Sequence, residues 1–380
     1  MKLVSTWRTL HRYVGIAAGA VLCVLGLSGS VLVFRPELER RMRPNLFTVP
    51  AVGTPAALTD LQAAAAAAVP SLELYRVRVP RDAGSSCEFI FGTHGRLTTR
   101  LYIDPYSRRV LGIRTAGSDF FLWLQSLHFD LLTAESGRQI NGVFAMTLVV
   151  LCLSGLLLWL RSTASWTARV WPRWGVRSVR RHWGLHITAG FWGSPFLLLM
   201  STTALYFAFH EPVARIVYAL TLSAAPASVP QVQSPPGAVS LDALLQQARS
   251  LEPTGEFTLI RLPRSPDQPA TLNYVLPGDW SDLGANGIHF DPNSGAALRI
   301  DRMRDMQLGA RIVSAFVPLH FGTFGRTPAR VLWALFGALP SVLFTTGLAI
   351  WSRRTTRRSR PEGTSSEQSR FEFVTKDSRS

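Results

Sequence analysis

Four long apolar stretches of the chain carry no charged side chain: residues 13–34, 139–160, 183–209 and 331–351. At about 1.5 Å rise per residue, each is long enough as a helix to cross a hydrocarbon core of roughly 30 Å. The pattern predicts four transmembrane helices. The first is too long for the apolar core of a cleaved signal peptide and lacks an obvious small-x-small cleavage site before Arg35-Pro36-Glu37.

Between the first two apolar stretches the periodicity changes. An alanine-rich run at 58–69 predicts a helix, and runs at 72–79, 88–92, 98–103 and 109–114 predict strands, with Asp104-Pro105-Tyr106-Ser107 as a turn. Residues 120–129 are apolar but too short to span, and read as an interfacial or re-entrant piece. After a Pro/Ser/Ala-rich linker at 222–239 the order begins again, with a helix at 241–250 and strands at 258–262 and 270–276. Ile288-His289-Phe290-Asp291-Pro292 then matches Tyr102-Ile103-Asp104-Pro105. The predicted class is an integral membrane protein, mainly α: a four-helix transmembrane bundle built from a tandem helix–module–helix repeat, with two small α+β modules. Its expected units are a lead-in with helix one (1–36), module one (37–118), an interfacial segment with helix two (119–161) and a loop (162–181). Helix three (182–210), a linker with module two (211–310), an interfacial segment with helix four (311–352) and a tail (353–380) follow.

Charge fixes an orientation for this scheme. The formal net charge is +16, but its distribution follows the membrane topology, which argues against a nucleic-acid partner. Arg161, Arg169, Arg173, Arg177, Arg180 and Arg181 bracket the second-to-third helix loop with no acidic residue among them. Short arginine-rich loops stay cytoplasmic. Both termini then lie inside, in agreement with Lys2, Arg8, Arg353 and Arg354, and both modules lie outside. The charged, serine-rich tail reads as disordered. Cys23 and Cys152 fall within apolar helices, Cys87 has no obvious disulfide partner, and the absence of Cys-x-x-Cys-His argues against thioether-linked haem.

The candidate chemistry lies in histidines. Leu-His occurs four times, at Leu10-His11, Leu127-His128, Leu185-His186 and Leu319-His320, each beside an apolar stretch. Polar groups at membrane depth are costly and point to function. Two tandem copies crossing the membrane in the same sense are commonly related by a pseudo-two-fold axis along the membrane normal. Such an axis pairs His11 with His186 at the inner side and His128 with His320 at the outer side. Imidazole is a common axial ligand of haem iron, so the pairs predict two non-covalent b-type haems, with isolated polar packing as the alternative. Arg12 and Arg181 inside, and Arg138 and Arg326 outside, are candidate propionate partners or ordinary interface anchors. His182, one turn before His186, competes as the inner ligand. His210 reads as interfacial, and His94 and His289 as surface residues. A copper or zinc site is the other metal reading, but no histidine–carboxylate or cysteine cluster completes one in the sequence.

Leu10-His11-Arg12-Tyr13-Val14-Gly15, Leu127-His128, Gly155-Leu156 and the turns Asp104-Pro105 and Asp291-Pro292 resemble the PepSY-associated transmembrane helix family, over nearly the whole chain short of the tail. The turns resemble the strand-and-turn ending of PepSY modules. The family often has Leu-His-Arg opening the third helix, where this chain has Leu185-His186-Ile187. The resemblance implies an inner-membrane di-haem reductase that passes electrons outward to a periplasmic ferric chelate such as a ferric siderophore. No Rossmann or flavin signature is present, so the donor would be a quinol or a cytoplasmic reductase; homo-oligomers are compatible. A siderophore or haem transport component and a haem-free PepSY regulatory or scaffold protein are the competing readings.

Overall fold

The computed structural model describes residues 2–93, 96–162, 165–171, 178–237, 239–279 and 284–358. Helix α1 (Lys2–Leu32) leads into α2 (Arg35–Met42), α3 (Pro44–Phe47) and α4 (Leu58–Ala68). Strands β1 (Leu74–Arg78), β2 (Cys87–Thr93), β3 (Arg96–Ile103) and β4 (Val110–Thr115) follow, and then α5 (Phe120–Asp130), α6 (Glu135–Leu160) and α7 (Trp166–Val170). The second half runs α8 (Ser178–Ala208), α9 (His210–Leu220), α10 (Leu241–Leu251), β5 (Glu256–Arg261), β6 (Ala270–Val275), β7 (Asn286–Phe290), β8 (Ala297–Asp301), α11 (Leu308–Phe321), α12 (Arg326–Gly337) and α13 (Leu339–Arg358). His94, Arg173, Arg177 and tail residues 359–380 lie outside the described residues.

Four segments are long and apolar enough to cross a membrane: Val4–Leu32, Glu135–Leu160, Arg181–Ala208 and Thr327–Arg353. Helices α1 and α8 each pack against both α6 and α13, so α1 and α8 stand on one diagonal of the bundle. The fourth span is broken between α12 and α13. Pro340 lacks the N–H that would continue the ladder, and α1 presses against the break. A Cβ at Gly26 would lie 2.3 Å from the Gly337 carbonyl oxygen, and Ser30 Oγ donates to the Ala334 carbonyl at 2.8 Å.

The two α+β modules are joined. Their strands form one antiparallel eight-stranded sheet in the order β4-β3-β2-β1-β5-β6-β7-β8. At the seam Val77 pairs with Ile260, flanked by Arg76 with Arg261 and Arg78 with Leu259. When Arg76-Val77-Arg78-Val79-Pro80 is aligned with Leu259-Ile260-Arg261-Leu262-Pro263, Val77 faces its own repeat counterpart. A pseudo-two-fold axis therefore passes between these two residues, perpendicular to the sheet. One face carries α4 and α10 over a core that includes Phe89, Phe91, Leu101, Leu272, Tyr274 and Phe290. Asp242 of α10 accepts from the Leu58 and Thr59 backbone N–H groups at 2.7 and 2.9 Å. It thereby caps α4, which has no side-chain cap of its own.

The opposite face is polar and docks on α2 and α5. Arg114, 2% exposed, donates to Asp119 at 3.0 and 2.7 Å, to Glu39 at 2.5 Å and to the Tyr102 hydroxyl at 3.2 Å. Asp119 also caps α5, accepting from Leu122 N at 3.0 Å. Burial raises its pKa, but Arg114 and the Leu122 N–H outweigh that and hold it at about 2. Glu88 is likewise raised by burial and brought down to about 2 by Arg100, Arg78 and the Tyr102 hydroxyl. His289 is buried in this face, not on the surface. Its Nδ1 lies 3.0 Å from Thr271 Oγ1 and its Nε2 2.9 Å from Asp301. Its partners stand on the two neighbouring strands, Thr271 on β6 and Asp301 on β8, and hold the ring within the polar face. Cys87 is free and buried.

Candidate functional site

The fold brings the four Leu-His histidines together in two pairs. The rings of His11 on α1 and His186 on α8 face each other across the bundle diagonal, their centroids 6.2 Å apart and their planes at 86°. His128 on α5 and His320 on α11 face each other at 6.3 Å and 51°. It is His186 whose ring faces His11; His182 lies one turn nearer the start of α8.

Each ring is anchored through Nδ1 to a hydroxyl on a neighbouring helix. His11 Nδ1 lies 2.8 Å from Ser154 Oγ, and His128 Nδ1 3.0 Å from Ser28 Oγ. His320 Nδ1 lies 2.7 Å from Thr203 Oγ1. His186 Nδ1 lies 3.0 Å from both Thr346 Oγ1 and the Leu343 carbonyl oxygen. A hydroxyl has one proton to give, and each of these gives it to a carbonyl of its own helix. Ser28 donates to Val24 O at 2.7 Å, Ser154 to Leu151 O at 3.2 Å, Thr203 to Leu199 O at 2.9 Å and Thr346 to Val342 O at 2.6 Å. The hydroxyl oxygens are therefore acceptors toward the rings. All four neutral imidazoles are assigned by this network as the Nδ1–H tautomer. The Nε2 lone pair is left uncommitted, and no hydrogen bond to Nε2 of these rings occurs among the described residues.

These partners recur at fixed intervals. Ser28 follows His11 by seventeen residues, as Thr203 follows His186; Ser154 follows His128 by twenty-six, as Thr346 follows His320. Small residues stand beside the hydroxyls. A Cβ at Gly29 would lie 2.9 Å from His128 Cε1, at Gly155 3.2 Å from His11 Cε1, and at Gly347 3.4 Å from His186 Cε1. Reading Leu-His alone missed this second set, although the repeated Ser/Thr-Gly at 154–155 and 346–347 could have revealed half of it. Seventeen residues of α1 span roughly 25 Å, so the two pairs sit toward opposite ends of the bundle. Around the sheet-side pair, Phe207 meets His320 edge-on at 5.2 Å and Phe129 stacks on Phe321 at 6.4 Å.

The remaining candidates are less convergent. The Arg12 guanidinium lies 4.6 Å over the Tyr13 ring, and its buried Nε has no hydrogen-bond partner among the described residues. Arg181 is exposed. Arg138 is engaged with Glu135 at the exposed start of α6. Arg326 opens α12, but its side chain lies outside the described residues. His210 is exposed, and its Nε2 lies 2.6 Å from the Tyr206 hydroxyl.

The pairs can be tested for what they would hold. Structural zinc takes four protein ligands and catalytic zinc three, and no cluster of three or more His, Cys, Asp or Glu suited to a metal occurs among the described residues. A facing pair of imidazoles is the donor set that a haem iron would take from the protein, His11 with His186 and His128 with His320. With metal–nitrogen bonds of about 2.0 Å and roughly 1.15 Å from nitrogen to ring centre, an imidazole–metal–imidazole stack spans about 6.3 Å between centroids. The observed 6.2 and 6.3 Å fit that dimension.

Four apolar spans, paired histidines toward each end of the bundle and a fused β-sheet above one end define a class of duplicated integral membrane proteins. This chain belongs to the PepSY-associated TM region family, which it matches over residues 8–354. No curated protein matches it.

Proposed function

We propose that the chain is a di-haem b-type oxidoreductase of the bacterial inner membrane that carries electrons across the bilayer and reduces a ferric chelate, such as a ferric siderophore, in the periplasm. The observation that carries this reading is the pair of facing histidine sets, each ring in the tautomer that offers Nε2. His11 and His186 would hold the inner haem, and His128 and His320 the outer one. When bound, haem supplies one-electron redox chemistry at each site.

The chain's own contribution is positioning. The four hydroxyls fix tautomer and ring orientation, as partners behind metal-bound histidines commonly do. Phe129, Phe207 and Phe321 keep the sheet-side pair in an apolar setting. Arg161 and Arg169, at the bundle end opposite the sheet, support a cytoplasmic position for that end and both termini, leaving the sheet in the periplasm. One electron per ferric ion, drawn from a quinol or a cytoplasmic reductase, would release iron, because chelators built for Fe(III) hold Fe(II) weakly.

The test is a reduced-minus-oxidised visible spectrum of the purified protein with a pyridine haem count. About two low-spin b-type haems per chain are expected. His11→Ala and His128→Ala should each remove one of them. A chain that binds no haem when expressed with ample haem refutes the proposal.

A further inference from the structure

The polar face of the sheet carries a row of cations that the two histidine pairs do not explain. Across the eight strands, Arg114 is in register with Arg100, Arg100 with Ile90, Ile90 with Arg76 and Arg76 with Arg261. The row continues from Arg261 to Thr271, His289 and Arg299. Residues directly opposite in antiparallel pairs share a face, so these side chains form one band facing the helical bundle.

The ends of the band are neutralised and the centre is not. Arg114 has Asp119 and Glu39, Arg100 has Glu88, and His289 and Arg299 share Asp301. Among the described residues, Arg76, Arg261 and Arg264 make no ion pair. Arg76 donates to the Tyr75 hydroxyl at 2.9 Å, yet its buried Nε has no partner. Arg264 lies 3.6 Å over the same Tyr75 ring. Burial alone would raise the Tyr75 phenol, but Arg76, Arg264 and Arg261 together hold it below its ordinary value. The Arg261 guanidinium is itself lowered by burial and by Arg76. Like charges directly opposite in a sheet are destabilising. The opposition is also not dictated by the duplication, since Arg76 stands where the other repeat has Leu259.

We infer that Arg76 and Arg261, with Arg264 and Tyr75, form a binding site for a carboxylate-rich anionic ferric chelate beside the pseudo-two-fold axis, between the sheet and the sheet-side histidine pair. This rests on the reductase reading and gives its substrate a charge class. Guanidinium pairs suit carboxylates because two parallel N–H donors meet two oxygens. Arg100, in the same band, donates to Gln125 at 3.3 Å, and Gln125 lies one turn before His128 on α5. An anion at the centre of the band would therefore lie two strands, about 10 Å, from the arginine that reaches the helix carrying His128.

The test uses redox-inert gallium(III) citrate, binding of which does not depend on electron transfer. Full-length haem-loaded protein in phosphatidylcholine nanodiscs is titrated calorimetrically, as wild type, Arg76→Gln and Arg261→Gln. Each variant should bind about tenfold more weakly, with haem content unchanged and thermal stability equal or higher because the repulsion is relieved. A neutral gallium trihydroxamate should bind at least tenfold more weakly than the citrate complex. Equal affinity in wild type and variants, equal binding of the neutral complex, or loss of a haem in the variants would each overturn the inference; the last would give the arginines to a haem carboxylate. If gallium citrate binds through these arginines but the reduced protein does not reduce ferric citrate, the anion site stands and the reductase reading fails.

Discussion

Replacing the hydroxyls behind the histidines separates positioning from packing, and the structure sets a graded outcome. Thr203→Val keeps the shape of the side chain but leaves the Nδ1–H of His320 without an acceptor, since Thr203 Oγ1 at 2.7 Å is its only partner among the described residues. An unsatisfied buried donor costs about 1–3 kcal/mol, and a freed ring also loses its orientation. Haem affinity at the outer site should fall by about 10- to 100-fold, the usual range for losing a partner behind a metal-bound histidine. Thr346→Val is predicted to be milder. His186 Nδ1 keeps the Leu343 carbonyl at 3.0 Å, so only one of two acceptors goes, worth about 0.5–1.5 kcal/mol, or roughly two- to tenfold. The assay is haem titration into apo-protein in nanodiscs, with each site isolated: Thr203→Val in a His11→Ala background and Thr346→Val in a His128→Ala background. Equal losses at the two sites, or a larger loss for Thr346→Val, would refute the tautomer argument.

Gly29→Val should abolish the outer haem while sparing the inner one, because a Cβ there would lie 2.9 Å from His128 Cε1. Gly15→Ala, whose Cβ meets Leu151 at an ordinary 3.6 Å, should leave both, and single-site spectra check the contrast. Glu88 has its carboxyl held at about 2 against an ordinary 4.5. It therefore contributes stability that is full above pH 4.5 and lost as the pH falls toward 2, on the order of 3 kcal/mol. Thermal unfolding of the sheet followed by circular dichroism between pH 5 and 2.5 should decline in wild type and decline less steeply in Glu88→Gln. Identical slopes would show that the Arg78–Glu88–Arg100 cluster does not govern the acid response.

Much of this architecture was legible in the sequence because membranes impose a coarse code. An apolar run of about twenty residues without charge marks a span, and Leu-His recurring beside each span marks the duplication. Three features escaped that code. The break at Ala338 is a backbone event within an apolar run, and Pro340 and Gly337 acquire their meaning only where Gly26 of α1 presses against them. The fusion of the modules depends on β1 and β5 meeting edge to edge, and a strand's sequence does not name its neighbour across another module. His289 looked superficial because its partners, Thr271 and Asp301, stand on the neighbouring strands β6 and β8 and only the strand register brings them to the ring. The ring-orienting hydroxyls were visible as letters, but serine and threonine in membrane helices also satisfy their own carbonyls. Only the approach of another helix gives them a histidine.

Pseudo-two-fold symmetry restricts what can lie near the axis, because each group there meets its own copy. An apolar residue tolerates this, as Val77 and Ile260 do at the seam. Neutral histidines tolerate it as well, provided that something between them uses both lone pairs; two rings 6.2–6.3 Å apart leave that space. A substrate that docks in one orientation needs the opposite, a place where the copies differ. Arg76 in one repeat and Leu259 in the other is such a place, and it turns a shared seam into a one-sided cationic patch beside the axis. The duplication thus suits the paired histidines, and its local violation suits the ligand proposed to dock beside them.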